Sequence, residues 1–217
     1  MSKPDLTFFC ELEAAPLEKF FQDRFIMDDL KALNARLSLG ILDLSDERAQ
    51  VVKKLNKLGV KVIAWLLLPK NEGYWFNLDN HPQAVARYEA FKAWSAANEL
   101  KWDGIGLDIE PDINTFQETR HKKLAMLPEL FKRLLDGRRV RQAQEAYRKL
   151  VEQMHADGFY VESYHLPLII DERKAHSTVI QRLAGLVDLE VDHEVLMLYS
   201  SFMRPHGQEI LWQYAKE

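Results

Sequence analysis

Asp108 and Glu110 stand two residues apart in an otherwise apolar run, Gly104-Ile105-Gly106-Leu107-Asp108-Ile109-Glu110, that stops at Pro111. In an extended strand residues two apart share a face, so Gly106, Asp108 and Glu110 project the same way and Glu110 lies nearest the C-terminal end. Carboxyls on the face of a buried strand are costly unless they are paired, hydrogen-bonded or open to a cleft. A carboxyl held beside another carboxylate in a partly dry site keeps its proton to a higher pH than it does in water. Such a group suits general acid catalysis near neutral pH. The plainer alternative is a solvated turn, Asp108-Ile109-Glu110-Pro111-Asp112, at a strand end.

Positioning these carboxyls needs a strand in a larger frame, and the sequence repeats one. Short runs rich in β-branched and aromatic residues alternate with longer amphipathic stretches along the whole chain. Leu6–Leu12, Leu37–Leu44, Val60–Leu68, Gly104–Glu110, Phe159–Leu166 and Val195–Ser201 are predicted strands, each almost continuously apolar until a polar residue near its C-terminal end. Continuous apolarity suits parallel strands with helices on one face and a barrel interior on the other. Ser45-Asp46 opens a helix over Glu47–Leu58 that Gly59 closes, and Pro82 opens one over Ala84–Leu100. The stretch Leu127–Ala156, divided at Asp136-Gly137, and the segment Gly207–Lys216 supply the remaining helices. We therefore expect an α/β fold, a single (β/α) TIM-type barrel domain over residues 1–217 with about six βα units visible. A complete barrel has eight units in ~250 residues. Two absent units leave a sheet edge, so either a homo-oligomer that pairs it or a segment that covers it is expected. Barrels of this type carry their reactive groups at the C-terminal rim, where Glu110 would sit.

The segment Asp103-Gly104-Ile105-Gly106-Leu107-Asp108-Ile109-Glu110 resembles the signature strand of family 18 glycoside hydrolases, the chitinases and endo-N-acetylglucosaminidases, whose pattern is Asp-x-x-Asp-x-Asp-x-Glu. It is the fourth strand here, as in that family, and the sixth carries Met197-Leu198-Tyr199-Ser200, similar to the family's Met-x-Tyr-Asp/Asn motif. The two motifs span a small part of the chain. The resemblance implies a chitinase-like glycosidase, an O-glycosyl hydrolase acting on an N-acetylhexosamine-containing glycan or related carbohydrate, with no cofactor. It further implies that Glu110 protonates the glycosidic oxygen, that Asp108 orients and stabilises the substrate's N-acetyl group as nucleophile, and that Tyr199 hydrogen-bonds the same group. That mechanism lies outside the usual two-carboxylate scheme. The chain departs from the family pattern at three points. Gly106 stands where the family has its middle Asp, Ser200 follows the tyrosine in place of Asp or Asn, and the family's eighth-strand tryptophan has no counterpart. These departures keep open a non-catalytic carbohydrate-binding relative.

Other residues complete a candidate site. The third strand, which carries Trp65, ends at Pro69 and leads into a polar loop with Tyr74, Trp75 and Phe76, either a stacking surface for sugar rings or packing for the rim. On the fifth strand Tyr160, Glu162 and Tyr164 face one way and His165 the other. Glu162 is either a second catalytic carboxylate or the structural partner of an Arg or Lys. Glu11, Glu13 and Asp43 close the first two strands. The expected substrate-binding set is Trp65, Tyr74, Trp75, Glu162, Tyr164, Met197, Asp43 and Glu11. A ring of Glu11, Asp43, Asp108, Glu110, Glu162 and His165 offers oxygen ligands to a divalent cation, so a metal-dependent TIM-barrel enzyme is a third reading. No His-x-x-x-His or acidic-loop spacing supports it, and no metal site is assigned.

With 29 Lys+Arg against 33 Asp+Glu the net charge is -4, so nothing global draws the chain to nucleic acid or anionic membrane. The basic positions from Lys132 to Arg148 mix with Glu145 and with apolar residues at helical spacing, as on a solvated helix. No apolar run approaches the ~18 residues of a membrane span. The start has no charged and apolar leader pattern, and the single cysteine, Cys10, favours a reducing compartment. A soluble cytoplasmic protein is expected.

Overall fold

Six apolar runs form strands: β1 Thr7–Cys10, β2 Arg36–Ile41, β3 Lys61–Leu66, β4 Gly104–Ile109, β5 Val161–His165 and β6 His193–Leu196. The computed structural model describes residues 4–112, 132–201, 205–214 and 216. The strands make one sheet in the order β1-β2-β3-β4-β5-β6, and every neighbouring pair is parallel. Among the described residues β1 and β6 pair with no further strand, so the α/β architecture is a half-barrel, a partial TIM-like sheet. No described helix is long and apolar enough to cross a membrane.

Strand alternation sorts the side chains between two packing layers. Cys10, Leu37, Leu39, Ile41, Val62, Ala64, Leu66, Ile105, Leu107 and Ile109 face the helices and form the main core. On the inner face Trp65 and Tyr164 pack with Leu67 and Tyr74 in a second, smaller cluster. The register places Trp65, Gly106 and Glu162 side by side, with Asp108 beside Tyr164 one step nearer the C-terminal rim. This layering sets the height of every candidate residue.

The helices follow their local signals. Ser45 caps the helix Asp46–Leu58 by accepting from Arg48 N–H, and Gly59 ends it at φ 76°. His81–Ala97 begins at Pro82 and buries Tyr88, Phe91 and Trp94. Asp136 caps Gly137–Ala156, whose buried Val140, Ala143, Tyr147, Leu150, Val151 and Met154 recur at helical spacing. The break expected at Asp136-Gly137 is present, while residues 127–131 lie outside the described residues. Short helices that the sequence signals do not mark also occur. Ala14–Phe20, Leu168–Lys174 and Val179–Ala184 have six or seven residues and no cap from the residue that precedes them; in the last, Ile180 and Gln181 N–H donate instead to the Glu172 carboxylate. The sixth strand differs from its expected span of 195–201. It pairs with β5 only to His165, and after Met197 N–H donates to the His165 carbonyl no partner edge remains. Residues 197–200 therefore lie beyond the strand.

Arg48 locks the rim ends of the first two strands. It is 0% exposed, and its guanidinium donates to the Gly40 carbonyl at 2.7 Å, the Leu12 carbonyl at 3.0 Å and Asp43 Oδ2 at 2.9 Å. A buried cation with this many partners cannot be removed without stranding them. We expect Arg48→Met to lower unfolding free energy by about 3 kcal/mol in urea titrations, the low end for breaking a buried pair because Asp43 is partly solvated. A loss below ~1 kcal/mol would show that the lock adds little.

Candidate active site

Asp108 ends the inner face of β4 and Glu110 is the first residue beyond that strand. Their backbone is held by the segment after β3. Phe76 N–H donates to the Asp108 carbonyl at 2.9 Å and Glu110 N–H donates to the Phe76 carbonyl at 3.2 Å, which adds a parallel bridge at Ile109. Phe76 is itself fully buried against Tyr147, so it serves packing and not the cleft. Of its neighbours Trp75 is half-buried, whereas Tyr74 is buried and donates its hydroxyl hydrogen bond to Glu11. Tyr74 adopts φ 65°, a left-handed conformation costly for a side-chain residue, immediately after Gly73 at φ 103°. Strain of this kind collects where a side chain must be aimed.

Asp108 is 2% exposed and accepts a hydrogen bond on Oδ2 from Trp65 Nε1–H at 3.1 Å. Burial, then the charge of Glu110, holds its carboxyl well above the usual range, opposed by the Trp65 bond and reinforced by Glu11. Burial likewise pushes half-buried Glu110 up to about 7, opposed by its hydrogen bond with Asp108 and reinforced by Glu11. Two adjacent carboxyls in a dry site cannot both ionise, so the pair retains a proton where isolated carboxyls have lost theirs. Tyr199 lies three residues past β6, half-exposed. Its phenol is raised by burial and then by the charges of Asp108, Glu110 and Glu11, which places it in the electrostatic field of the pair. The structure thus gathers Glu11, Trp65, Tyr74, Asp108, Glu110 and Tyr199 about the C-terminal ends of β1, β3, β4 and β6.

Other expected residues lie elsewhere. Glu162 is 1% exposed, beside Gly106 and one layer below Asp108, with Arg36 Nη1 at 3.0 Å. Its structural alternative, pairing with a basic residue, is what the geometry contains. Tyr164 is buried next to it, donating to Glu162 Oε2 at 3.3 Å and lying 2.8 Å from Ser38 Oγ. Asp43 belongs to the Arg48 lock. Burial would raise its carboxyl, but hydrogen bonds from Arg48 and Ser45 outweigh that and hold it at about 2. Met197 is half-buried and its backbone continues the β5 edge. His165 faces the helices, buried, and burial lowers its imidazole to about 4 despite the opposing charges of Glu194 and Asp188. The six residues of the cation ring are therefore divided among the rim, the layer below, the Arg48 lock and the outer face. Among the described residues no three His, Cys, Asp or Glu side chains group to hold a metal ion.

Arg36, Ser38 and Phe9 join the inner face without having been expected there. Their signal is in the sequence: Arg36, Ser38 and Gly40 alternate with Leu37, Leu39 and Ile41, which marks a polar inner side of β2. No family model and no curated protein matches the chain. Among solved structures, a GH18 chitinase from Pseudoalteromonas aurantia is similar with a TM-score of 0.45 and 12% sequence identity, over 93% of this chain and 69% of that one.

Unfolding would release Asp108 and Glu110 into water, where carboxyls lose their protons near pH 4. Folded, they keep a proton to higher pH, and Glu110 does so to about 7. Stability from this pair is thus highest at and below about pH 4 and falls as pH rises toward 7. We expect Asp108→Asn to be more stable than the parent at pH 8 by about 1–3 kcal/mol in urea unfolding, with the difference shrinking below about pH 5. A parent that gains stability over that rise, and an Asn variant no better at pH 8, would contradict the assignment.

Proposed function

We propose that this chain is a glycoside hydrolase acting on N-acetylhexosamine-containing glycans, with Glu110 as general acid and base and Asp108 and Tyr199 assisting. One observation carries the reading: two carboxyls stand together at the rim, Asp108 buried on β4 and Glu110 half-buried just beyond it, where burial pushes Glu110 up to about 7. A group in that state donates and recovers a proton near neutrality. The resemblance of the β4 segment to the family 18 signature supplies the chemical class, and the position of Tyr199 near the pair is consistent with it.

In the proposed reaction Glu110 gives its proton to the glycosidic oxygen as the bond from that oxygen to the anomeric carbon breaks. The carbonyl oxygen of the substrate's N-acetyl group bonds to that carbon and closes a five-membered ring. Asp108 accepts the N–H of the acetamide and offsets the positive charge that develops there, and Tyr199 hydrogen-bonds the same group. Water then attacks the anomeric carbon, reopens the ring and leaves its proton on Glu110. Glu162 lends no support to a two-carboxylate scheme, because its charge is committed to Arg36 below the rim.

The replacement of the family's middle Asp by Gly106 favours a second reading, a barrel that binds sugar without turnover. Paired aryl glycosides of N-acetylglucosamine and of glucosamine separate the readings. We expect hydrolysis of the acetylated substrate alone, and a fall of ~10²–10⁴ in rate in Glu110→Gln with the fold retained. Equal turnover of both substrates would overturn the acetamide-assisted route, and binding with no turnover would establish the second reading.

A further inference from the structure

Gly106 lies below Asp108 on the inner face of β4, and the space a side chain there would take is filled from the next strand. A Cβ on Gly106 would come within 2.2 Å of the Tyr164 hydroxyl and 2.6 Å of its Cζ, far inside van der Waals contact. The Tyr164 ring meets Trp65 edge-on, with centroids 6.0 Å apart, and Phe9 at 5.0 Å. Trp65 is the residue whose indole donates to Asp108. The hydroxyl of Tyr164 is bonded to Ser38 and Glu162, and Glu162 is in turn paired with Arg36. The floor under the carboxyl pair is therefore an aromatic ring whose polar end is satisfied a layer below.

We propose that Tyr164 is a positioning residue for the Asp108–Glu110 pair: its ring wedges Trp65 against Asp108, closes the space at Gly106 and keeps water from beneath the two carboxyls. Glu11 and Tyr74 face the pair from just beyond β1 and from the loop after β3, with Lys70 over the Tyr74 ring, and Tyr199 faces it from beyond β6. Of these, Tyr74 packs in the same inner-face cluster as Tyr164, and its hydroxyl is held by Glu11. Removing the ring admits water beneath Asp108, which favours ionisation of the pair. Removing the hydroxyl alone leaves the wedge in place and disturbs only Ser38 and Glu162. The kinetic consequence rests on the proposed hydrolase, whereas the consequence for protonation does not.

The test compares Tyr164→Phe, Tyr164→Ala and Gly106→Ala in the full chain. The pH at which the pair takes up its proton is read from the pH dependence of urea unfolding, and the alkaline limb of kcat/KM on the acetylated glycoside is read in parallel. In Tyr164→Ala both are expected to move to lower pH by about one unit or more, as solvation replaces burial. Gly106→Ala, which must displace the ring, shifts them the same way, and Tyr164→Phe keeps the parental values. If Tyr164→Ala does not fold, Tyr164→Leu and Gly106→Ala carry the comparison. An unmoved profile in the ring-deleted and Gly106→Ala variants, or a shift in Tyr164→Phe equal to that of Tyr164→Ala, overturns the proposal. Should the parent hydrolyse no glycoside, the hydrolase reading fails while the unfolding profiles still decide the role of Tyr164.

Discussion

Asp108 is buried beside Glu110, and neither carboxyl forms an ion pair among the described residues. Water is the cheapest solvent for a carboxylate, so a fold that withholds it must supply donors or leave a proton in place. Here one neutral donor, the Trp65 indole, reaches Asp108, and burial together with the neighbouring Glu110 holds its carboxyl well above the usual range. The surrounding arrangement follows from that constraint. Phe76 fixes the backbone that carries both residues, Tyr164 fills the floor, and Glu11 adds a third carboxyl at the rim.

The half-barrel accommodates this site by handling its other buried charges differently. Glu162 meets Arg36, and Arg48 meets Asp43 and two backbone carbonyls, so those charges are matched within hydrogen-bonding distance. Arg173 similarly joins Asp188 and Glu194 behind β5. Matched pairs maintain the frame, and the unmatched pair is confined to the rim. A buried carboxyl pair without a cation is a local loss of stability, and such losses concentrate at positions where chemistry needs a displaced proton affinity.

Much of this was legible in the sequence where the signal is local. The alternation through Gly104–Ile109 and the stop at Pro111 mark β4 and put Asp108 and Glu110 on one side. Ser45, Gly59 and Asp136 mark helix ends because capping is a contact between near neighbours in sequence. What could not be read depends on contacts between distant segments. Whether Glu162 meets a substrate or a cation turns on Arg36, which lies across the inner face on β2, and the need for glycine at position 106 comes from a ring on β5. The run Val195–Ser201 looks like one strand because its residues favour extension, yet the edge of β5 supports pairing only as far as His165. Tyr199 therefore approaches the pair from a loop and not from a strand. The short helices after β1 and β5 were hidden for a related reason: Ala14–Phe20 and Leu168–Lys174 have no capping side chain, and Val179–Ala184 is capped by Glu172 from the preceding helix.

A carbon-13 NMR titration of the side-chain carboxyls in the intact protein, assigned with Asp108→Asn and Glu110→Gln, tests the shared proton most directly. One resonance from the pair should titrate near 7, with the signal of its neighbour moving in step. Independent titration of both carboxyls, complete by about pH 5 as for solvated groups, would contradict the central claim.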